Sequence, residues 1–517
     1  MERNMIRALL VGVLMVFMLP AMFACSNVPS DPASDGSTSE TEESQSTTTV
    51  PSTTQTESAV SDSVMSGVSS TAVTTGAMTS TSTNTTSKTS VTTTATSKTT
   101  RPRVTLATNA GDTTTKPLAW IDVTLPDAYK KADVEYVCDD ESVLYTYNNK
   151  AKKDFDAAVA YYKSKGYQEY SSTAMGENYA ATYVYNNAMA HMYWCADTKE
   201  LNIVTSARAG KTLPPAKPKV TSGDFECKVA QMYSTMYNGM SYAVLLEDGS
   251  YIVFDGGYDG GQYNIVHFID RNNETADKPI IRAWVLTHSH NDHYPAFTAF
   301  ARDNYMNSKY IVENVIISPL NDKNYVLNNE SYDPYLSDEF YNDAESIGAT
   351  VVFAHTGMKF KFCNLNMEIL FTPETLWKTR STVADYDFND TSIVARLYDD
   401  DYSALFLADA GVDSKTWMEK TYGDYLKSDM CQMAHHGVDQ GPVSFYDKVK
   451  PQILFYPTTD AFYKEPGWCP AVRRAMETKE YVKEILIHNL AEFERAWGTR
   501  YAEDAPLLMP NYKAPTN

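Results

Sequence analysis

The sequence has no surplus of basic charge. Its 517 residues carry 44 Lys and Arg against 65 Asp and Glu, a net charge of −21. That balance excludes non-specific grip on nucleic acid or anionic lipid as the basis of function, although a cleft holding metal ions can still be locally positive. No C-x-x-C pair occurs among the seven cysteines, Cys25, Cys138, Cys195, Cys227, Cys363, Cys431 and Cys469, so no paired-cysteine motif is present. Histidine is scarce, with nine in the chain, and this makes any clustering of it informative.

The apolar run at the N terminus, Ala8 to Met22, is short for a bilayer span. Arg3 and Arg7 precede it, and Ala21-Met22-Phe23-Ala24 ends in small residues before Cys25. A signal peptide has this shape. With its cysteine, the segment resembles a bacterial lipoprotein signal, which implies cleavage after residue 24, lipid on Cys25 and a protein anchored outside the cytoplasm. Residues 25–116 follow as a Ser/Thr-rich stretch with almost no apolar periodicity. Such a segment cannot offset its ordering entropy and reads as a disordered stalk with a coil span of about 50 Å. With Cys25 lipidated, six cysteines are left to pair or to stay as buried thiols; Cys138 and Cys195 are the pair confined to one small domain.

That small domain covers 117–212. Phe155, Ala158, Val159 and Tyr162 recur at helical spacing before Gly166. Tyr170 to Ala207 then reads as antiparallel strands with turns near Gly176, Asn186 and Asp197. The alternating tyrosines predict a half-buried sheet, with a sugar- or polymer-binding face as the competing reading. His191, in one of these strands, is read as structural. A Pro/Lys linker, 210–219, leads into a second domain over 224–500. There, hairpins and strand–helix alternation suggest two sheets packed face to face with helices outside.

The chemistry is concentrated in Thr287-His288-Ser289-His290-Asn291-Asp292-His293-Tyr294, directly after the apolar strand pattern Ile280 to Leu286. His288 and His290, two apart, can reach one ion; Asp292 and His293 can turn toward a second. Imidazole and carboxylate suit Zn²⁺ and similar ions, and two adjacent ions can hold a hydroxide between them. The competing reading is a polar surface loop.

This H-x-H-x-D-H pattern resembles the signature of the metallo-β-lactamase superfamily. The resemblance implies an α/β (α+β) fold, an αββα four-layer sandwich with metals at one edge, preceded here by the small α+β domain. Asp255, before two glycines, resembles the aspartate that orients the metal loop. Asp409, ending Ala404 to Ala408, looks like the carboxylate that bridges two metals. Ala434-His435-His436-Gly437 looks like the last ligand motif; either histidine can serve, with His435 at the strand end favoured and His436 as a supporting or substrate contact. The family's isolated third histidine is missing after Ile317-Ser318-Pro319. His355 is a candidate replacement, with a structural loop role as its alternative. Asn389-Asp390-Thr391-Ser392 together with Ala-His-His-Gly resembles the hydrolase module of competence-type DNA-uptake proteins, over about 224–490.

The expectation is a surface-tethered hydrolase with one or two Zn²⁺ ions, or Mn²⁺ or another divalent metal. A metal-bound hydroxide would attack a phosphodiester, in nucleic acid or a cell-wall polymer, and Asp292 or Asp409 would handle the proton. The alternatives are a non-catalytic wall-polymer binding protein with a degenerate site, and a lactone or lactam hydrolase acting on a small molecule.

Overall fold

Strand-forming runs bounded by turns account for three sheets, and the largest side chains say how these stack. The computed structural model describes residues 131–138, 142–217, 224–233, 238–274, 277–318, 337–377, 388–438, 441–465, 470–487 and 492–510. The signal segment, Cys25, the Ser/Thr-rich stretch, residues 117–130 and Cys469 lie outside them.

The first sheet holds β1 (Val134–Val137), β2 (Val143–Tyr147), β3 (Gln168–Met175), β4 (Asn178–Tyr185), β5 (Ala188–Cys195) and β6 (Glu200–Ser206) in the order β1-β2-β6-β5-β4-β3. Every pairing is antiparallel. Helix α1 (Lys152–Ser164) lies on one face, where Phe155, Ala158 and Tyr162 pack with Tyr183, Met192 and Ile203. The opposite face is not free. Leu144, Met189 and Val204 share a core with Met358, Phe360 and Phe362, and Met175, Ala180 and Tyr193 share another with Tyr422. The central strands of the sheet are thus covered on both faces, with Tyr183 and Tyr193 taken up by packing, while the edge strands β1 and β3 keep exposed positions.

The second sheet holds β7 (Lys228–Gln231), β8 (Ser241–Leu245), β9 (Tyr251–Asp255), β10 (Ile280–Leu286), β11 (Ile311–Val312), β12 (Asn314–Ile317) and β13 (Thr350–Phe353). The third holds β14 (Lys359–Phe362), β15 (Leu365–Phe371), β16 (Val394–Tyr398), β17 (Ser403–Phe406), β18 (Met430–Gln432), β19 (Ile453–Tyr456) and β20 (Glu484–Ile487). A final strand, β21 (Phe493–Ala496), returns to pair with β7. The orders are β13-β12-β10-β9-β8-β7-β21, with β11 beside β10, and β14 through β20 in sequence.

The two sheets meet through Phe254 and Phe406, stacked 4.1 Å apart, with Tyr242 edge-on to Phe406. Helices α2 (Gly261–Asn272), α3 (Pro295–Arg302) and α4 (Ser337–Ser346) cover the second sheet, where Trp284 packs on Phe297 and Phe300. Helices α5 (Val412–Tyr422), α6 (Val443–Val449) and α7 (Pro470–Glu477) cover the third. This is the four-layer αββα order. Burial of each large apolar side chain contributes about 1.5–3 kcal/mol, so the layers hold without disulfides. Cys138 and Cys195 are buried thiols, as are Cys227, Cys363 and Cys431; the Cys138–Cys195 bridge is not formed.

Parallel pairing fixes where the chemistry falls. β9 and β10 run parallel, so Asp255 and the 287–293 loop leave the second sheet at the same edge. β17 and β18 are also parallel, so Asp409 and the His435-His436 pair leave the third sheet together. A bond from Ile393 N–H to the Thr287 carbonyl (3.1 Å) ties these edges to each other.

Candidate metal centre

The backbone is strained where the site is built. Asp255, Ala408, His435 and His436 all have φ between 47° and 56°, a left-handed conformation that costs about 1–3 kcal/mol for a residue with a Cβ. All four stand at or just beyond strand ends at one edge. Such strain persists where surrounding bonds over-determine it, and here they do: Trp284 Nε1 donates to the Asp255 carbonyl (2.7 Å), and His435 N–H donates to the Ala408 carbonyl (3.0 Å).

Two ligand groups result. In each, His nitrogens and carboxylate oxygens lie within 4.8 Å of one another: His288, His290 and Asp409 in the first, Asp292, His293 and His436 in the second. Asp409 stands between them. Its Oδ2 is 3.8 Å from His288 Nε2, 3.2 Å from His293 Nε2 and 3.4 Å from His436 Nε2. Asp292 Oδ2 lies 3.1 Å from His436 Nε2. The Nε2 atoms of His288, His293 and His436, and Oδ1 of Asp409, are buried and have no hydrogen-bond partner. Leaving one such atom unmade costs about 1–3 kcal/mol. Four orphans aimed at one space are what bound cations would satisfy, so the residues present fit divalent metal.

The partner chemistry also sets the tautomers. A backbone carbonyl can only accept, so His436 Nδ1, 3.0 Å from the Pro457 carbonyl, must carry the proton. The Asp255 carboxylate accepts from Thr287 N–H (2.8 Å), from the Thr287 hydroxyl (2.7 Å) and from His293 Nδ1 (2.8 Å). With its own hydrogen committed to Asp255, the Thr287 hydroxyl accepts from His288 Nδ1 (3.2 Å). All three rings therefore keep their Nε2 lone pairs for metal, the arrangement expected of ligands oriented by outer partners. Ser392 Oγ adds a link, 3.4 Å from His288 Nδ1 and accepting from Asp409 N–H (3.2 Å).

The electrostatics agree. Burial pushes His288 well below the ordinary histidine value and His290 down to about 4, leaving neutral ligands. Burial also pushes His293 and His436 down, but the Asp409 carboxylate, with Asp255 and Asp292 respectively, overrides it. His293 is held well above the ordinary value and His436 at about 10. Burial would raise Asp292, yet the His436 ring holds it at about 2. These are charge pairs that a cation replaces.

The sequence-predicted residues divide as follows. His288, His290, Asp292, His293, Asp409 and His436 come together, with Asp255 behind them. His435 does not join either ligand group. The structure differs from the favoured reading of the Ala-His-His-Gly motif: the strand end turns left-handed at both histidines, and it is the second whose Nε2 reaches the carboxylates, while the half-buried His435 ring lies 6.0 Å from it between centroids. His355 is no replacement ligand. It is buried, pairs with Glu374 (3.2 Å) and stacks on His191 of the first sheet. Sequence reasoning missed Thr287 and Ser392 as orienting residues, although both sit beside residues of the recognised motifs, and Phe388, whose ring lies 5.0 Å from that of His290.

Residues 236–450 match the family model of the metallo-beta-lactamase superfamily. Domains of this superfamily are mostly metal-dependent hydrolases. Among solved structures, the chain is similar to the metallo-beta-lactamase fold protein YhfI from Bacillus subtilis, at 10% identity over 52% of this chain and 100% of that one, TM-score 0.31. It is similar to CmlA, a diiron β-hydroxylase from Streptomyces venezuelae, at 10% identity over 47% of each chain, TM-score 0.27. It is also similar to Zn²⁺-bound PqqB from Methylobacterium extorquens, at 9% identity over 38% of this chain and 57% of that one, TM-score 0.23. No curated protein matches the sequence.

Proposed function

We propose that the protein is a metal-dependent hydrolase of phosphodiesters, tethered to the outer face of a bacterial membrane by lipid on Cys25. The observation that carries the hydrolase reading is the set of orphaned Nε2 atoms converging with both carboxylates on one buried space. His288, His290 and Asp409 would hold one divalent ion, and Asp292, His293, His436 and Asp409 the other. When bound, the ions supply Lewis acidity and lower the pKa of water.

The chain's own residues divide the remaining work. Asp409, buried and flanked by three imidazoles, suits a shared ligand better than a proton carrier. Asp292 keeps 16% of its side chain exposed. It can accept a proton from an attacking water and return it to the leaving oxygen. Asp255 and Thr287 hold the rings, and Phe388 excludes water beside His290. The competence-type resemblance of Asn389–Ser392 and Ala434–Gly437 favours phosphodiesters, either in nucleic acid or in a wall polymer within reach of a tethered enzyme.

A specific observation favours a second reading. Among the described residues, the first ligand group has two histidines and an aspartate, with no third histidine, and a weakened site suits a non-catalytic polymer-binding protein. Metal analysis and turnover separate the readings. The hydrolase reading expects about two ions per chain and cleavage of bis(p-nitrophenyl) phosphate that is lost on chelation and in His288→Ala. Metal well below one ion per chain, without turnover, supports the second reading. Cleavage of lactones or lactams, with diesters untouched, would replace the substrate class.

A further inference from the structure

The Ala434–Gly437 turn carries two histidines, and the ligand groups use one of them. His435 is left over. Among the imidazoles and carboxylates of the site, His290, Asp292 and His435 keep part of their surface exposed while the others are buried. The mouth of the site therefore lies over these three. The His435 backbone is fully engaged: its N–H donates to the Ala408 carbonyl (3.0 Å), and its carbonyl accepts from Val438 N–H (2.8 Å). Its ring stands edge-on to that of His436 and makes no hydrogen bond or ion pair among the described residues. It lies within electrostatic reach of the first ligand group, since burial holds His288 and His290 down and the His435 ring adds to that effect. At φ 47° the residue is left-handed, which costs about 1–3 kcal/mol where a Cβ is present. His436 bears the same strain, but its side chain engages the Pro457 carbonyl and the ligand group. The His435 side chain has no such partner among the described residues.

We propose that His435 contacts the substrate, its ring N–H donating to a non-bridging oxygen of the scissile phosphodiester. An imidazole keeps at least one N–H whether neutral or charged, so the contact needs no change of protonation, and no proton leaves the ring. A donor fixed on a held backbone does not reorganise as negative charge grows on that oxygen, and it acts most strongly at that stage. The proposal rests on the hydrolase reading above and adds to it a group that touches the substrate without holding metal.

The test measures cleavage of bis(p-nitrophenyl) phosphate by the metal-loaded full chain and its His435 variants. His435→Phe keeps a flat ring and deletes the N–H. It should lower kcat by about 100-fold, with KM little changed and metal content equal to wild type. His435→Asn and His435→Gln carry amide donors near the positions of Nδ1 and Nε2, and one of them should recover part of the loss. An unchanged kcat in His435→Phe overturns the contact and leaves the hydrolase reading standing. So does a loss matched by loss of metal, which would make the ring a ligand, or a loss that neither amide repairs. Should His435→Phe not fold, His435→Gly deletes the same ring at a φ that suits glycine and is read in the same way. If the wild type does not cleave the diester, the phosphodiester reading fails, and calorimetric binding of dithymidylate decides the contact. About tenfold weaker binding in His435→Phe then supports it, and equal or absent binding overturns it.

Discussion

Replacing Asp255 by asparagine keeps the shape of the side chain and removes its one indispensable property, that it only accepts. Three donors meet the carboxylate: Thr287 N–H, the Thr287 hydroxyl and His293 Nδ1. If the new amide nitrogen takes the place of Oδ2, it faces His293 Nδ1–H. The ring escapes that clash by moving its proton to Nε2, where it removes the lone pair meant for metal. If the amide nitrogen takes the place of Oδ1, it faces the Thr287 backbone N–H, which has no proton to give up, and the loop itself must move. A charge-assisted bond of this kind is worth about 1.5–3 kcal/mol, or roughly 10–100-fold in affinity, the range expected when a ligand's orienting partner is lost. Competition against a chelator of known affinity measures this directly, with circular dichroism to show that the variant is folded. A folded Asp255→Asn protein with unchanged metal number and affinity would refute the tautomer argument.

Other outcomes follow from the same geometry. His436→Ala should remove about one ion per chain by elemental analysis, whereas His435→Ala should keep the wild-type metal content. Gly437→Ala combines a left-handed backbone with a Cβ 2.4 Å from Tyr456; it should cost roughly 2–4 kcal/mol, seen as a lower Tm by calorimetry. His191 gives an acid-stability signature. Burial pushes it down to about 4, so below its ordinary value of 6.5 the unfolded chain takes up a proton that the folded chain refuses. Its contribution is intact above pH 6.5 and is lost as pH falls toward 4, about 3 kcal/mol in all. His191→Gln should flatten the fall in urea-melt stability between pH 7 and pH 4 by that amount, and parallel curves for the two proteins would contradict it.

Much of this was legible in the sequence for identifiable reasons. The His288–His293 cluster sits behind a seven-residue apolar run, so both its chemistry and its strand-end position are local properties. Asp409 and the His435-His436 pair were found in the same way, each after an apolar strand. What was not legible depends on backbone torsion and tertiary contact. The choice between His435 and His436 turns on two consecutive left-handed residues, which no side-chain pattern announces. The exclusion of His355 depends on a ring, His191, 164 positions away in another sheet. Likewise, alternation in the first sheet predicted one buried face and one wet face. It cannot report that the nominally wet face is covered by Met358, Phe360 and Phe362 of the neighbouring layer.

Asp255 grips one half of the ion pocket directly, through His293, and the other through Thr287 and His288, while Asp409 leans into both. The two ion positions are therefore mechanically joined. Filling the four-ligand position stiffens the carboxylates that the histidine-poor position depends on, so loading should be cooperative, with singly occupied protein scarce and a chelator emptying both places together.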